Sequence, residues 1–445
     1  MNKKQSVLTS VLKYIFVFLI TACICFGLLF LVTIIPRSAI KSNIQESADY
    51  LCNKEMFEEM VEGVGGSKQD RYADSILLGI IWQLDSDHPL SSMMETAYYS
   101  DKNGVENEAL RAAVTDNLEA NKEYLRYWHG SSVWVKPLLL FLDIKEIYIF
   151  NAAILIFLYL LFALLLVKKK TYIPLVGFSL SLILVSAWFV PFSLEYTWCF
   201  LIMFIFLDIL LLFYDKLSRE RITVLFLIFG IITSFFDFLT TELITLLVPL
   251  LILLWFEKNE SSLDSSKTRK INYLESVKRV VLWGFGYSFM WMLKWLLAAI
   301  VLQRNVLPDI KEQIDLRVGG EYMAQVTFPL FEYMRKAIFR NVKCLFPLEY
   351  GWAGIIVAFI IFAFTLYILF VYHGKSFDKG LCVMYIVICI VPYIRYMVLH
   401  NHSFIHFGFT YRSQMITLLS IFLCMDEVAL SNFWKHLRLR IINDI

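Results

Sequence analysis

Apolar residues in this chain are gathered into blocks of about twenty, not spread in the alternation that marks a half-buried helix or strand. Ten blocks are readable, at about Tyr14 to Ile35, Ile147 to Val167, Ile173 to Val190, Thr197 to Tyr214 and Ile222 to Leu239, then Leu243 to Phe256, Val281 to Leu302, Ala353 to Tyr372, Leu381 to Leu399 and Ser413 to Ala429. Blocks of this kind suit a hydrocarbon core about 30 Å thick. The pattern predicts an all-α fold, a polytopic transmembrane bundle of about ten helices. The first block follows Lys3, Lys4 and Lys13 and leaves through Ile35, Pro36 and Arg37. It is too long for a signal-peptide core and no A-x-A site follows it, so it reads as a retained signal anchor.

Lys and Arg in the short connections set the expected orientation, because cytoplasmic loops collect them. Lys168 to Lys170, the stretch Lys216 to Arg221, the stretch Lys258 to Arg279, Lys375 with Lys379, and Lys435 to Arg440 all fall on the side of the N-terminus. The opposite turns, Phe192 to Tyr196, Thr240 to Glu242 and His400 to Tyr411, contain none. An even number of crossings follows, with both termini cytoplasmic in a plasma membrane. The chain then divides into an anchor helix (1–35) and an extracytoplasmic helical loop domain (36–146). A first bundle part (147–302) with a cytoplasmic linker (257–280) comes next. A second extracytoplasmic segment (303–352) and a last bundle part with a short tail (353–445) complete it. Within the long loop, Lys54 to Val64 and Glu106 to Trp128 read as helix-compatible, separated by turn-rich stretches. In 303–352, Phe328, Phe331, Met334, Ile338, Val342 and Leu345 recur at helical spacing beside Arg335, Lys336, Arg340 and Lys343, the pattern of an amphipathic surface helix.

Composition agrees with lipid as the solvent: 58 % of residues are hydrophobic and 18 % charged. A net charge of +2 excludes a nucleic-acid partner of the usual basic kind. The eight cysteines show neither a CxxC pair nor a regular spacing, so no zinc site or disulfide framework is expected.

Charged groups at membrane depth are costly and single out candidate chemistry. Asp208, Asp237, Glu242, Lys294 and Arg395 fall inside or at the ends of the expected helices, and all but Asp208 lie toward the loop side. Together Asp237, Glu242, Lys294 and Arg395 suggest a polar cavity opening outward. His400, His402 and His406 share that side but lack a helical HxxxH frame, so no metal and no other cofactor is expected. The run Arg126, Tyr127, Trp128, His129, Gly130 offers aromatic faces and a guanidinium suited to a sugar ring or a phosphate. Asp74 precedes Leu77, Leu78 and Ile81 by three, four and seven residues, which places an acid beside an apolar helix face where a raised pKa would suit a base. Glu46 and Asp49, an i, i+3 pair, compete for that role.

One anchor helix, a long helical outer loop and a many-helix body with further outer loops resemble, in layout, the GT-C class of membrane glycosyltransferases. The segments Arg126 to Gly130 and His402 to Arg412 are also similar to uncharacterised bacterial multi-pass proteins. The GT-C resemblance implies transfer of a sugar from a polyprenyl-phosphate donor to a glycan or lipid acceptor outside the cytoplasm, with an acid of the first outer loop at the reacting centre: Glu46, Asp49 or Asp74. No DxD or WWDYG-like motif is present. Arg126, Lys294, Arg395 and Arg412 are then the expected holders of phosphate. A transporter or flippase of a lipid-linked saccharide, with its intramembrane charges lining a path, is the competing expectation, and a non-enzymatic envelope protein a third.

Overall fold

The computed structural model describes residues 3–101, 104–263, 271–318, 329–374, 377–430 and 432–433. It is helical throughout, with no strand among these residues and only two isolated bridges, Glu59 with Lys68 and Tyr98 with Lys122. The expected tail cations Lys435, Arg438 and Arg440, the linker residues Lys267 to Lys270, Lys375, and Phe328 lie outside the described residues.

The chain opens with α1 (Lys3–Thr33), followed by α2 (Arg37–Cys52), α3 (Arg71–Gln83), α4 (Pro89–Glu95), α5 (Glu106–Thr115) and α6 (Ser132–Leu138). Next come α7 (Ile144–Lys168), α8 (Tyr172–Leu184), α9 (Leu194–Phe213), α10 (Arg219–Phe236), α11 (Leu243–Leu263) and α12 (Tyr273–Leu302). The last part holds α13 (Leu307–Val318), α14 (Leu330–Lys343), α15 (Gly351–Tyr372), α16 (Lys379–Val398), α17 (His400–Ile405), α18 (Phe407–Thr410) and α19 (Met415–Met425).

Among the described residues seven segments are long and apolar enough to cross a membrane: α1 from Leu8, α7, α9, α12, α15, α16 and the run through α18 and α19. The other three expected blocks form α8, α10 and α11. The first is 13 residues long, about 20 Å at 1.5 Å per residue. The second starts on Arg219, Glu220 and Arg221, and the third carries Glu257, Lys258 and Asn259 ahead of its end at Leu263, so each has a shorter apolar stretch than its helix. Burial sets α10 and α11 apart, whereas α8 leaves Tyr172, Val176, Leu180 and Ile183 exposed. Every residue from Leu246 to Glu257 is buried, so α11 is sheathed by α9, α10, α16 and α19.

The most extensive helix pairing is α10 against α12. Gly230 lies against the Trp283 backbone and Gly286 against the Leu227 carbonyl, and a Cβ at either position would collide with main chain. Small residues at the crossing allow this close approach, the usual solution where no hydrophobic drive separates helix from lipid.

At one end of the bundle, the basal end, ion pairs tie the connections together: Lys13 with Glu220, Lys169 with Asp215, Lys258 with Glu427, and buried Arg279 with Glu257. At the other, the cap end, the segment 37–143 covers the helices. Its apolar residues Ile40, Leu51, Leu78, Trp82 and Leu110 join the same hydrophobic cluster as Phe162, Phe206 and Leu250 of the bundle, so cap and bundle share one core. Two expectations within the cap are corrected. Residues 54–64 form no helix: Gly63 turns the chain at φ +77, and Met60 and Gln69 amides pair back across to Ser67 and Glu58. The helix near 106–128 stops at Thr115, because Asn121 and Lys122 pair with Tyr98 instead.

Candidate functional site

Each helix of the cap presents a buried face and an exposed one, and this decides which of its acids can do chemistry. On α2, Ile40, Ile44, Ser47, Ala48 and Leu51 face the core, while Glu46 and Asp49 lie on the exposed side. These two acids line neither of the two cavities at this end. On α3, Asp70 is the N-cap and accepts from the Ala73 amide at 2.9 Å, as a short acid before an apolar helical run should. One turn on, Asp74 is fully enclosed. It accepts from the Tyr148 hydroxyl, from the Leu194 amide at 2.9 Å and from Ser193 Oγ at 3.2 Å. Burial pushes its carboxyl up to about 7, the Tyr148 hydrogen bond pulling against the burial. Asp74 thereby pins α3 to α7 and to the start of α9.

A cavity of about 340 Å³ at the cap end opens beside this pin. Asp70, Tyr72 and Leu77 wall it from α3, Glu195 from the first turn of α9, and Phe238 from the turn between α10 and α11. Tyr124, Arg126 and His129 close it from the cap, and Asn401, His402 and His406 from α17 and its end. Asp70 and Glu195, 125 positions apart in sequence, both line it, with carboxyls close enough to act on each other. Two carboxyls brought together in a buried site cannot both ionise cheaply. Burial pushes Asp70 up to about 6, against the Ala73 amide, the Lys68 charge and Glu195. The second Glu195 oxygen, Oε2, is buried and makes no hydrogen bond to protein.

Arg126 lies with its guanidinium 3.9 Å from the Tyr124 ring centre and 5.7 Å from that of Tyr127, a cation held between aromatic faces. His129, at φ +54, packs 4.9 Å from Tyr124 and 5.2 Å from Phe238. Burial and the charges of Lys294 and Arg126 hold its imidazole well below the ordinary range, so it is neutral. His402 Nε2 meets the Leu239 carbonyl at 2.8 Å; a carbonyl only accepts, so Nε2 carries the proton. A second cavity, about 250 Å³, shares Glu123, Tyr124, Arg126 and Glu312 with the first and runs toward Trp295 and Ala298 of α12.

Of the residues singled out from sequence, the cavity therefore brings together Arg126, His129 and His402. The others are placed elsewhere. Asp237 secures the turn after α10, accepting from Leu239 N at 2.8 Å, Thr240 N at 3.0 Å and Thr240 Oγ1 at 2.7 Å. Glu242 is paired bidentately with Arg395 at 2.5 and 2.9 Å, and Arg395 also donates to the Leu239 and Thr240 carbonyls. Lys294 caps α4, donating to the Met93 and Met94 carbonyls at 3.0 and 2.8 Å. Trp128 donates to the Met290 carbonyl and packs on Phe235, and Tyr127 stacks on Trp291. Arg412 is buried against Tyr196 and Tyr411 and donates to the Gly408 and Gly66 carbonyls. The polar cavity expected from Asp237, Glu242, Lys294 and Arg395 is thus corrected: those four hold backbone in place, and different acids line the cavity.

Asp70, Glu195, Tyr124, Asn401 and His406 were not anticipated as site residues. Asp70 had a signal as the N-cap acid before an apolar run. Glu195 sat in a turn examined only for its lack of Lys and Arg. Among the described residues no group of three metal-type side chains converges. No protein-family model matches the chain, and no curated protein or solved structure resembles it significantly. Fold and site define a multi-pass helical membrane protein with a carboxyl pair in a cavity at its cap end.

Proposed function

We propose that the chain is a glycosyltransferase of the GT-C kind, taking a sugar from a polyprenyl-phosphate donor at the extracytoplasmic face of a plasma membrane. In this reading the chain crosses ten times, with α8, α10 and α11 as the remaining crossings and both termini cytoplasmic. The basal ion pairs support the orientation, since they involve the Lys-rich connections. The observation that carries the function is the Asp70 and Glu195 pair, one acid from the first long loop and one from the bundle, in a cavity that also holds Arg126.

The chemistry asks for a base beside the acceptor hydroxyl and a cation beside the departing phosphate. The carboxyl pair, carrying one proton between its two members, takes the acceptor's hydroxyl proton as that oxygen bonds to the anomeric carbon. The bond from the anomeric carbon to the phosphate oxygen breaks, and its electron pair leaves with polyprenyl phosphate, opposite Arg126. Neutral His129 and the Tyr72, Tyr98 and Tyr124 rings provide apolar faces and hydroxyls for a sugar ring. The second cavity, reaching α12, offers the lipid chain a way to the bilayer.

The test is transfer by purified protein in nanodiscs, supplied with a panel of polyprenyl-phosphate hexoses and pentoses and a lipid or glycan acceptor, with release of polyprenyl phosphate followed by mass spectrometry. Asp70→Asn and Glu195→Gln are expected to abolish release, while Glu46→Ala and Asp49→Ala leave it intact. Full turnover in both cavity variants overturns the reading. Movement of intact donor between leaflets with no release establishes the transporter instead.

A further inference from the structure

We propose that α14 is an anionic-lipid site: its exposed stripe seats in the headgroup layer and binds the phosphates of acidic phospholipids. The proposal rests on surface chemistry and is independent of the reaction in the cavity.

The inner face of α14 is fully committed. Tyr333, Ala337 and Asn341 are buried at i, i+4 and i+8. The Tyr333 hydroxyl donates to Asn401, Asn341 Nδ2 donates to the Ser403 carbonyl at 2.8 Å, and Arg340 donates to the Phe404 carbonyl at 3.0 Å. The helix is therefore a fixed ledge on α17, whose Asn401 and His402 wall the cavity. The outer face carries Phe331, Arg335, Phe339 and Lys343 at successive four-residue steps, all exposed, with Phe331 83 % and Phe339 69 % accessible. No described residue covers them.

Two arguments fix what does. The first is continuity: five residues after α14 the chain enters the membrane-crossing segment Leu348–Tyr372, whose Trp352 is 82 % accessible and begins a strip of exposed Ile355, Ile356 and Phe359. A large, exposed tryptophan at the end of a crossing marks the interfacial depth, and α14 is joined to it by a short link. The second is charge. Along the stripe each phenyl ring is followed four residues later by a cation, and Glu332, the acid on this helix, is already paired with Lys336 at 2.9 Å. Rings that enter the acyl boundary and cations that stay at phosphate level make a membrane-surface helix selective for acidic headgroups. A water-facing position would leave two phenyl rings on a cationic helix with no partner.

The experiment is competitive lipid retention on the full chain, released from nanodiscs of equal phosphatidylglycerol and phosphatidylcholine and read by native mass spectrometry. Each basic residue near an acidic surface contributes about fivefold in partition, so the double variant Arg335→Gln, Lys343→Gln is expected to lower the phosphatidylglycerol preference about 25-fold. Arg335→Lys with Lys343→Arg should retain it, and unchanged thermal unfolding of both variants shows that folding is not the cause. An unchanged preference in the Gln variant overturns the proposal. So does a photocrosslinker at Phe331 that captures a protein and no lipid.

Discussion

Asp70 at the head of α3 and Glu195 at the head of α9 bring two carboxyls together in the wall of one cavity. A pair with one shared proton is a base only when the second proton has left, and Asp70 sits at about 6. Sugar transfer is therefore expected to fall as pH drops through about 6, with the acid limb belonging to the pair and not to one member. Asp70→Glu should preserve the limb. A pH profile of kcat/KM with no acid limb would exclude the pair as the base.

Asp74 makes an independent pH prediction, on stability. Its carboxyl lies at about 7 in the folded protein against 3.8 for an ordinary aspartate. The folded state holds that proton more tightly, so the contribution is fully present below about pH 4, is lost as pH rises toward 7, and is flat beyond. At about 1.4 kcal/mol per pKa unit, the change amounts to roughly 4 kcal/mol across the window. Asp74→Asn should flatten that slope in thermal unfolding measured from pH 4 to 8. An unaltered slope would show that the proton is bound elsewhere.

Arg395 satisfies Glu242 and two backbone carbonyls at once. Arg395→Ala leaves a buried carboxylate unpaired and is expected to cost about 3–5 kcal/mol. Replacing both partners, Arg395→Met with Glu242→Leu, should recover a large part of that loss. A double variant as unstable as the single one would mean that the Leu239 and Thr240 carbonyls, not the ion pair, are what Arg395 serves.

Gly230→Val places two methyl groups in the α10 and α12 crossing. It should destabilise by about 1–3 kcal/mol, the usual range for overpacking. Gly27, with no neighbour within 4 Å of where a Cβ would stand, is the control, and Gly27→Val should be near neutral. Equal losses in the two variants would indicate a general glycine effect instead of a crossing contact.

Block length made the membrane-length helices legible from sequence, because it depends on a single stretch of chain. Sheltered helices were harder to read. α10 and α11 carry apolar blocks like the rest, and only their neighbours show that they face protein. Acids were misjudged for the same reason. Asp237, Glu242, Lys294 and Arg395 stood out as charges in apolar surroundings, yet Asp237 is spent on the amides of its own turn and the other three on carbonyls or an opposite charge brought in from elsewhere in the fold. Asp70 and Glu195 looked ordinary at their helix starts. Only the fold joins two positions 125 residues apart, and neither has a periodicity that announces its partner.

The enclosure of α11 has a consequence for how the protein is made. Trp255 donates to Asp426, a partner 171 residues later in the chain. Translation at about 5–20 residues per second delivers that partner roughly 10 to 35 seconds after Trp255 itself. For that interval α11 has one flank unclosed, and the nascent chain is open to quality-control proteases until α19 arrives.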